Sequence, residues 1–275
     1  MPSVILHHME IIMQQSSFGE VLTRLWPDVD RVVPGLRAGI VAAAPAVFAR
    51  YRIDIPLLVA HVMAQLSHEC GAGRDVVENL NYTAARMMQV WPSRFRTLAS
   101  ATPYAHDPRA LANKVYNGRM GNASGSDDGW TYRGRGAAQT TGREGYARLA
   151  QATGLDLVNH PDLVNDPRHF LLCGVADFVA CGCLPFARAD DIVGVTRRLN
   201  GGTIGLAQRR AWLARWKGAL GEVPIICSPP LVPEAPAQAA PPTPPAASPA
   251  SSSAPPQPSR LGNLIAALAA VLKRS

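Results

Sequence analysis

The sequence predicts a mainly α-helical domain over roughly residues 18–222. Helix start and stop signals follow one another closely there, no stretch alternates apolar and polar residues as a strand would, and the pattern gives way to loop only in a glycine-rich polar segment. Asp54 caps one helix, with Pro56 in its first turn, and that helix ends at Gly71. Its Leu58, Val62, Leu66 and Glu69, at offsets 0, 4, 8 and 11, share one face. Thr83 caps a helix that stops before Pro92, and Asp107-Pro108 opens another that closes at Gly118. From 118 to 142 the chain is polar and carries Gly118, Gly121, Gly125, Gly129, Gly134, Gly136 and Gly142, which reads as a loop region with short strands facing a cleft. Asp166-Pro167 opens a helix whose Leu172, Val175, Ala176 and Val179 form a buried stripe before Gly182. Asp190 and Thr203 cap the last two helices, which run to Asn200 and Gly221.

Composition bounds the rest. The chain has 275 residues, 47% of them hydrophobic and 17% charged, which excludes a wholly disordered or coiled-coil protein. The net charge of +7 favours anionic surroundings such as nucleic acid, acidic lipid or a carboxylate-bearing cell wall, without selecting one. Five cysteines with no CxxC pair match neither a zinc nor a disulfide framework. The N-terminal segment, 1–17, has no basic n-region and its apolar stretch is broken by His7, His8 and Glu10, so it fails as a secretory signal and synthesis in the cytoplasm is expected. After the domain, residues 223–259 read as a disordered linker: 228–259 hold 12 of the 24 prolines, 8 alanines and a single charge, Glu234. The tail, 260–275, places Leu261, Leu264, Ile265, Leu268 and Leu272 on one stripe flanked by Arg260, Lys273 and Arg274. That is a short amphipathic helix suited to a membrane surface or a partner protein and too short to cross a bilayer.

Chemistry starts at Glu69. A carboxyl ending a core-facing stripe, just before the Cys70-Gly71 break, should be partly desolvated and keep its proton near neutrality, as a general acid requires. His61 and His68 stand seven apart, about 10 Å of helix rise, too far to share one metal ion, so no metal is expected here. Nine residues on, Glu78 lies in the polar run Glu78-Asn79-Leu80-Asn81-Tyr82 and reads as the more hydrated of the two. Two carboxyls in unlike surroundings meet the requirement for acid/base cleavage of a glycosidic bond.

The motifs His68-Glu69, Glu78-Asn79-Leu80-Asn81-Tyr82, Arg133-Gly134-Arg135-Gly136 followed by Gln139 and Thr141-Gly142-Arg143, and Leu199-Asn200-Gly201-Gly202 occur in that order. Together they resemble the family 19 glycoside hydrolases, nearest to the branch of phage and bacterial endolysins and short chitinases, over about 36–220. The resemblance implies a bilobal, mainly helical, lysozyme-like fold with a small loop and strand region at the cleft. It also implies an inverting reaction on β-1,4 links between amino sugars of peptidoglycan or chitin, with no cofactor and no nucleic-acid partner, acting at the cell wall after release. By the same resemblance Glu69 is the general acid, Glu78 the general base and Thr141 the hydroxyl that helps hold the water. Gln139 and Asn200 are sugar-binding amides, and His68 belongs to the same substrate-facing motif. Arg135 is expected to brace the loop or a carboxylate through its guanidinium fork. Tyr82 and Tyr132 either stack on sugar rings or pack between lobes. Gly145 stands where the family commonly has Asn. A non-catalytic polymer-binding module, a lytic transglycosylase and an interaction protein acting through the tail helix are the alternatives.

Overall fold

The computed structural model describes residues 17–221, so the N-terminal segment, the linker and the tail helix lie outside the described residues. The chain opens with α1 (17–25), turns at Trp26 and continues into α2 (Leu36–Arg50) and α3 (Pro56–Glu69). The remaining α-helices are α4 (Ala84–Val90), α5 (Leu98–Ala101), α6 (Pro108–Tyr116), α7 (Asp128–Thr131), α8 (Arg143–Thr153), α9 (Phe170–Ala180), α10 (Leu184–Arg188), α11 (Ile192–Asn200) and α12 (Leu206–Leu220). β-structure among the described residues is limited to two antiparallel bridges, Val77 with Arg135 and Arg135 with Thr140, so the expectation of a mainly helical chain with a little strand in the glycine-rich region holds. Among the described residues no helix is long and apolar enough to cross a membrane.

α3 is the axis of the larger lobe. Its residues are buried without a break from Leu58 to His68, including His61, Gln65 and Ser67. The predicted one-sided stripe is thus replaced by a helix enclosed all round, packed against α9, α10 and most extensively α12. Polar side chains inside that shell need partners, and Ser67 collects three contacts. The indoles of Trp26 and Trp216 both donate to Ser67 Oγ, at 2.7 and 2.9 Å, while that hydroxyl donates to Met63 O at 2.6 Å. Ser67→Ala removes one acceptor and strands two buried donors, an expected loss of about 2–3 kcal/mol measurable as a lower denaturant midpoint at unchanged slope.

A second core belongs to the smaller lobe. α4, α5 and α6 enclose Leu80, Tyr82, Met87, Trp91, Phe95, Leu111 and Tyr116, with Tyr82 edge-on to Trp91 at 5.3 Å. α8 and α9 shelter a third cluster around Tyr132, Tyr146, Leu149 and Val164. The segment 75–82 and the loop 132–142 run between these cores and are tied together. Glu78 N–H donates to Gly134 O at 2.8 Å and Gly136 N–H to Val76 O at 2.9 Å.

Several helix ends differ from the predicted ones, each for a local reason. Thr83 and Asp107 do cap: Thr83 Oγ1 accepts from Arg86 N–H and Asp107 from Ala110 N–H. Asp54 does not, since α3 starts from extended Ile55 with Pro56 at its first position. Asp166 is spent on Arg168, accepting from its backbone at 2.8 Å and its guanidinium at 2.6 Å, and the helix begins four residues later at Phe170. The cap of α11 is Asp191, not Asp190, because Asp191 receives Val193 and Gly194 N–H. Its neighbour Asp190, at φ 55°, reaches across to Lys217 and buried His61. α12 starts from Gly205 in place of Thr203. Cys70, Cys173, Cys181 and Cys183 carry free thiols, and burial pushes the Cys70 thiol up to about 12, leaving it inert.

Candidate active site

Two groups of side chains form around the ends of the segment 69–78. The first sits at the C-terminus of α3. Glu69 is the last helical residue there, its side chain 11% exposed, and its carboxylate accepts from Arg209 Nη2 at 2.5 Å. Arg209, on the first turns of α12, is fully buried and its other amino group donates to Gln65 Oε1, one turn back on α3. The sequence places Glu69 among apolar side chains; the structure corrects this, because its shelter comes with a guanidinium in hydrogen-bond contact. Arg209 is the residue of this site that sequence reasoning misses. Its one signal is an Arg on the inward face of α12, at spacings of four and seven from Leu213 and Trp216.

His68 is buried beside Glu69, and the chain after α11 closes over it: a Cβ built on Gly205 would stand 2.5 Å from His68 Nε2, so only glycine lets that turn approach. Asn200 holds the same turn from inside, its amide donating to Ile204 O at 3.1 Å and its carbonyl accepting from Gly202 N–H at 3.0 Å. Both polar ends of the Asn200 side chain therefore serve the backbone.

The second group gathers at Glu78. One carboxylate oxygen accepts from Tyr116 Oη at 2.5 Å and the other from Gly134 N–H at 3.2 Å. A Cβ on Gly134 would lie 3.1 Å from Gln139 Oε1 and 3.3 Å from both Glu78 Cβ and Thr141 Oγ1. The missing side chain at that position is what lets Glu78, Gln139 and Thr141 converge. Gln139, itself at φ 51°, gives its amide N–H groups to Asp75 O and Gly136 O and keeps Oε1 beside Gly134. Thr141 donates to Gln139 O at 2.9 Å and retains its acceptor lone pairs.

Both carboxyls are partly sheltered from solvent. Burial pushes the Glu78 carboxyl above its ordinary value, with the Tyr116 hydroxyl and the Gly134 N–H pulling partly the other way. Tyr116, whose own phenol is held well above its ordinary value by burial beside Glu78, stays a donor at all working pH. Tyr116→Phe removes a hydrogen bond to the charged carboxylate, so Glu78 should hold its proton to higher pH still. The limb of the pH–rate profile that Glu78 governs is expected to move upward, the acidic limb if it acts as base and the alkaline limb if it acts as acid.

Three further expectations are placed by burial. The ring of Tyr132 is packed against Tyr146 at 5.4 Å and its hydroxyl donates to Val158 O at 3.0 Å; Tyr82 lies in the core of the smaller lobe. Both tyrosines pack in the interior in place of offering a face to a sugar. Arg135 is a brace: buried, it pairs with Asp162 at 3.1 Å and donates to Thr131 O at 2.6 Å, fixing the loop that carries Gly134. Asp177 on α9 is a half-buried acid, pushed up to about 6 by burial, with Arg148 pulling its proton affinity down and the charge of Glu69 pushing it up. Among the described residues no cluster of His, Cys, Asp and Glu has a metal-holding arrangement.

The chain is 34% identical over 151 residues to a glycosyl hydrolase family 19 domain-containing protein of Haemophilus influenzae, an alignment covering 54% of this chain and 74% of that relative. The chain belongs to glycoside hydrolase family 19. No family model matches it. In this family 19 domain the two carboxyls at either end of the 69–78 segment are each held by a donor from a different part of the chain, Arg209 from α12 and Tyr116 from α6.

Proposed function

We propose that this protein is an endolysin-like glycosidase that hydrolyses β-1,4 links between amino sugars of a cell-wall polymer, with inversion. The observation that carries the proposal is the pair of held carboxyls in a family 19 chain: Glu69 on Arg209 at the end of the buried helix, and Glu78 beside Gly134, Gln139 and Thr141. Hydrolysis with inversion needs one group to protonate the leaving oxygen and another to activate water from the opposite face. In the assignment that the resemblance implies, Glu69 gives the proton, Glu78 takes one from water, and Thr141 holds that water through its free lone pairs.

A second assignment, with the two roles exchanged, is favoured by the resting electrostatics, since burial raises the proton affinity of Glu78 while Glu69 is the carboxylate paired with a cation. An aryl glycoside with a good leaving group separates the two. The variant lacking the acid keeps much of its rate on that substrate, whereas the variant lacking the base does not. Glu69→Gln and Glu78→Gln are therefore compared on the aryl substrate and on chitin hexamer. Digestion of purified wall and chitin hexamer by the wild type, with product ends and anomer identified, tests the reaction itself. Inverted reducing ends support it, anhydro-sugar ends mean a transglycosylase, and no turnover of either polymer means a binding module.

A further inference from the structure

Beside the turn that follows Glu69 lies a pocket of about 280 Å³ in which three arginines meet. Arg24 comes from α1, Arg74 from just after the 71–73 turn and Arg215 from α12; Leu25, Ala72 and Trp212 supply apolar wall, and Asp28 is the one acid. Like charges brought together repel, and the protein offers little to offset them: Arg74 Nη1 is 3.9 Å from Asp28, a loose contact between two half-exposed groups. Two of the guanidiniums have a partner that orients them. Arg74 Nε donates to Gly71 O at 3.1 Å, and Arg215 lies over the Trp212 ring at 5.0 Å. Guanidinium forks beside an apolar wall are an arrangement that recognises a carboxylate on a small organic group.

The segments that line the pocket also belong to the site. It shares α12 with Arg209, and Ala72 and Arg74 are three and five residues after Glu69. Arg215, six residues beyond Arg209, is turned roughly 120° round the helix from it at about 100° per residue. The pocket is thus built partly from the two segments that also carry Glu69 and Arg209. We propose that Arg24, Arg74 and Arg215 form a carboxylate-binding subsite for the acidic side group of an amino-sugar polymer, the lactyl or peptide carboxylate of peptidoglycan, which neutral chitin lacks. This rests on the glycosidase reading above and deepens it to a substrate preference.

The test uses the full-length protein with Glu69→Gln to suppress turnover. A muropeptide disaccharide and chitotriose are titrated calorimetrically with and without Arg74→Ala/Arg215→Ala, and Arg96→Ala/Arg197→Ala, two exposed arginines elsewhere, serves as the charge control. Loss of two charge-assisted contacts should weaken the muropeptide by about tenfold or more and leave chitotriose unchanged, with the control pair unchanged for both. Equal affinity of the parent for the two ligands, an equal drop for both in the pocket variant, or the same drop in the control pair would overturn the subsite. On the active background, the pocket variant should lose turnover of wall and keep that of chitin hexamer, which also shows that it folds. Undiminished wall turnover would overturn the subsite and leave the glycosidase standing. Arginine-dependent muropeptide binding by a chain that cleaves neither polymer would support the subsite and overturn the glycosidase.

Discussion

Glu69→Gln is expected to lower turnover of both wall and chitin hexamer by about 10²–10⁴-fold, the contribution of one positioned proton-transfer group. The substitution keeps the carbonyl oxygen that accepts from Arg209 Nη2 but removes the charge that balances that buried guanidinium, so some stability is lost along with the chemistry. The measurement is kcat on chitin hexamer together with a thermal melt. A fall in kcat of the folded variant far larger than its lower melting temperature explains is the expected pair of results. A variant that keeps its rate would remove Glu69 from the chemistry under either assignment of acid and base.

Arg209→Ala is expected to act on both stability and rate. The guanidinium is fully buried and serves Glu69 and Gln65 at once, so its removal strands a buried amide oxygen and leaves a largely sheltered carboxylate without its cation. Breaking a buried pair from one side costs about 3–5 kcal/mol. At the 2–4 °C per kcal/mol typical of domains this size, the melting temperature should fall by roughly 6–20 °C. Glu69 also loses its orientation, so kcat should fall in the fraction still folded. Arg209→Lys, which keeps the charge and loses the fork, should recover part of the stability and less of the rate.

The order of helices was readable where polar caps and prolines mark helix ends. Thr83, Asp107-Pro108 and the run to Gly221 carry local signals, since a cap satisfies backbone groups within three residues of itself. α2 and α8 carry none at their starts: both begin from a glycine, without a side-chain cap, and α2 runs through Pro45. Their stability comes from packing on α9, which is written in no window of local sequence.

At the site, residue identity and order were legible because they sit in short motifs: Glu69, Glu78, the glycines around Arg135, Gln139 and Thr141. The environment of each was not. Glu69 ends an apolar stripe in the sequence, yet its neighbour in space is Arg209, 140 positions away. Glu78 lies in a polar run, yet α6 brings Tyr116 onto it and the loop closes at Gly134. Chain order determined that this is a helical family 19 domain and that Glu69 and Glu78 stand nine residues apart in it. Only the tertiary fold decided that Arg209 pairs with Glu69, that Tyr116 is brought onto Glu78, and that three arginines line one pocket. Charge and dielectric act through space between groups from distant segments, and local pattern carries no record of that distance.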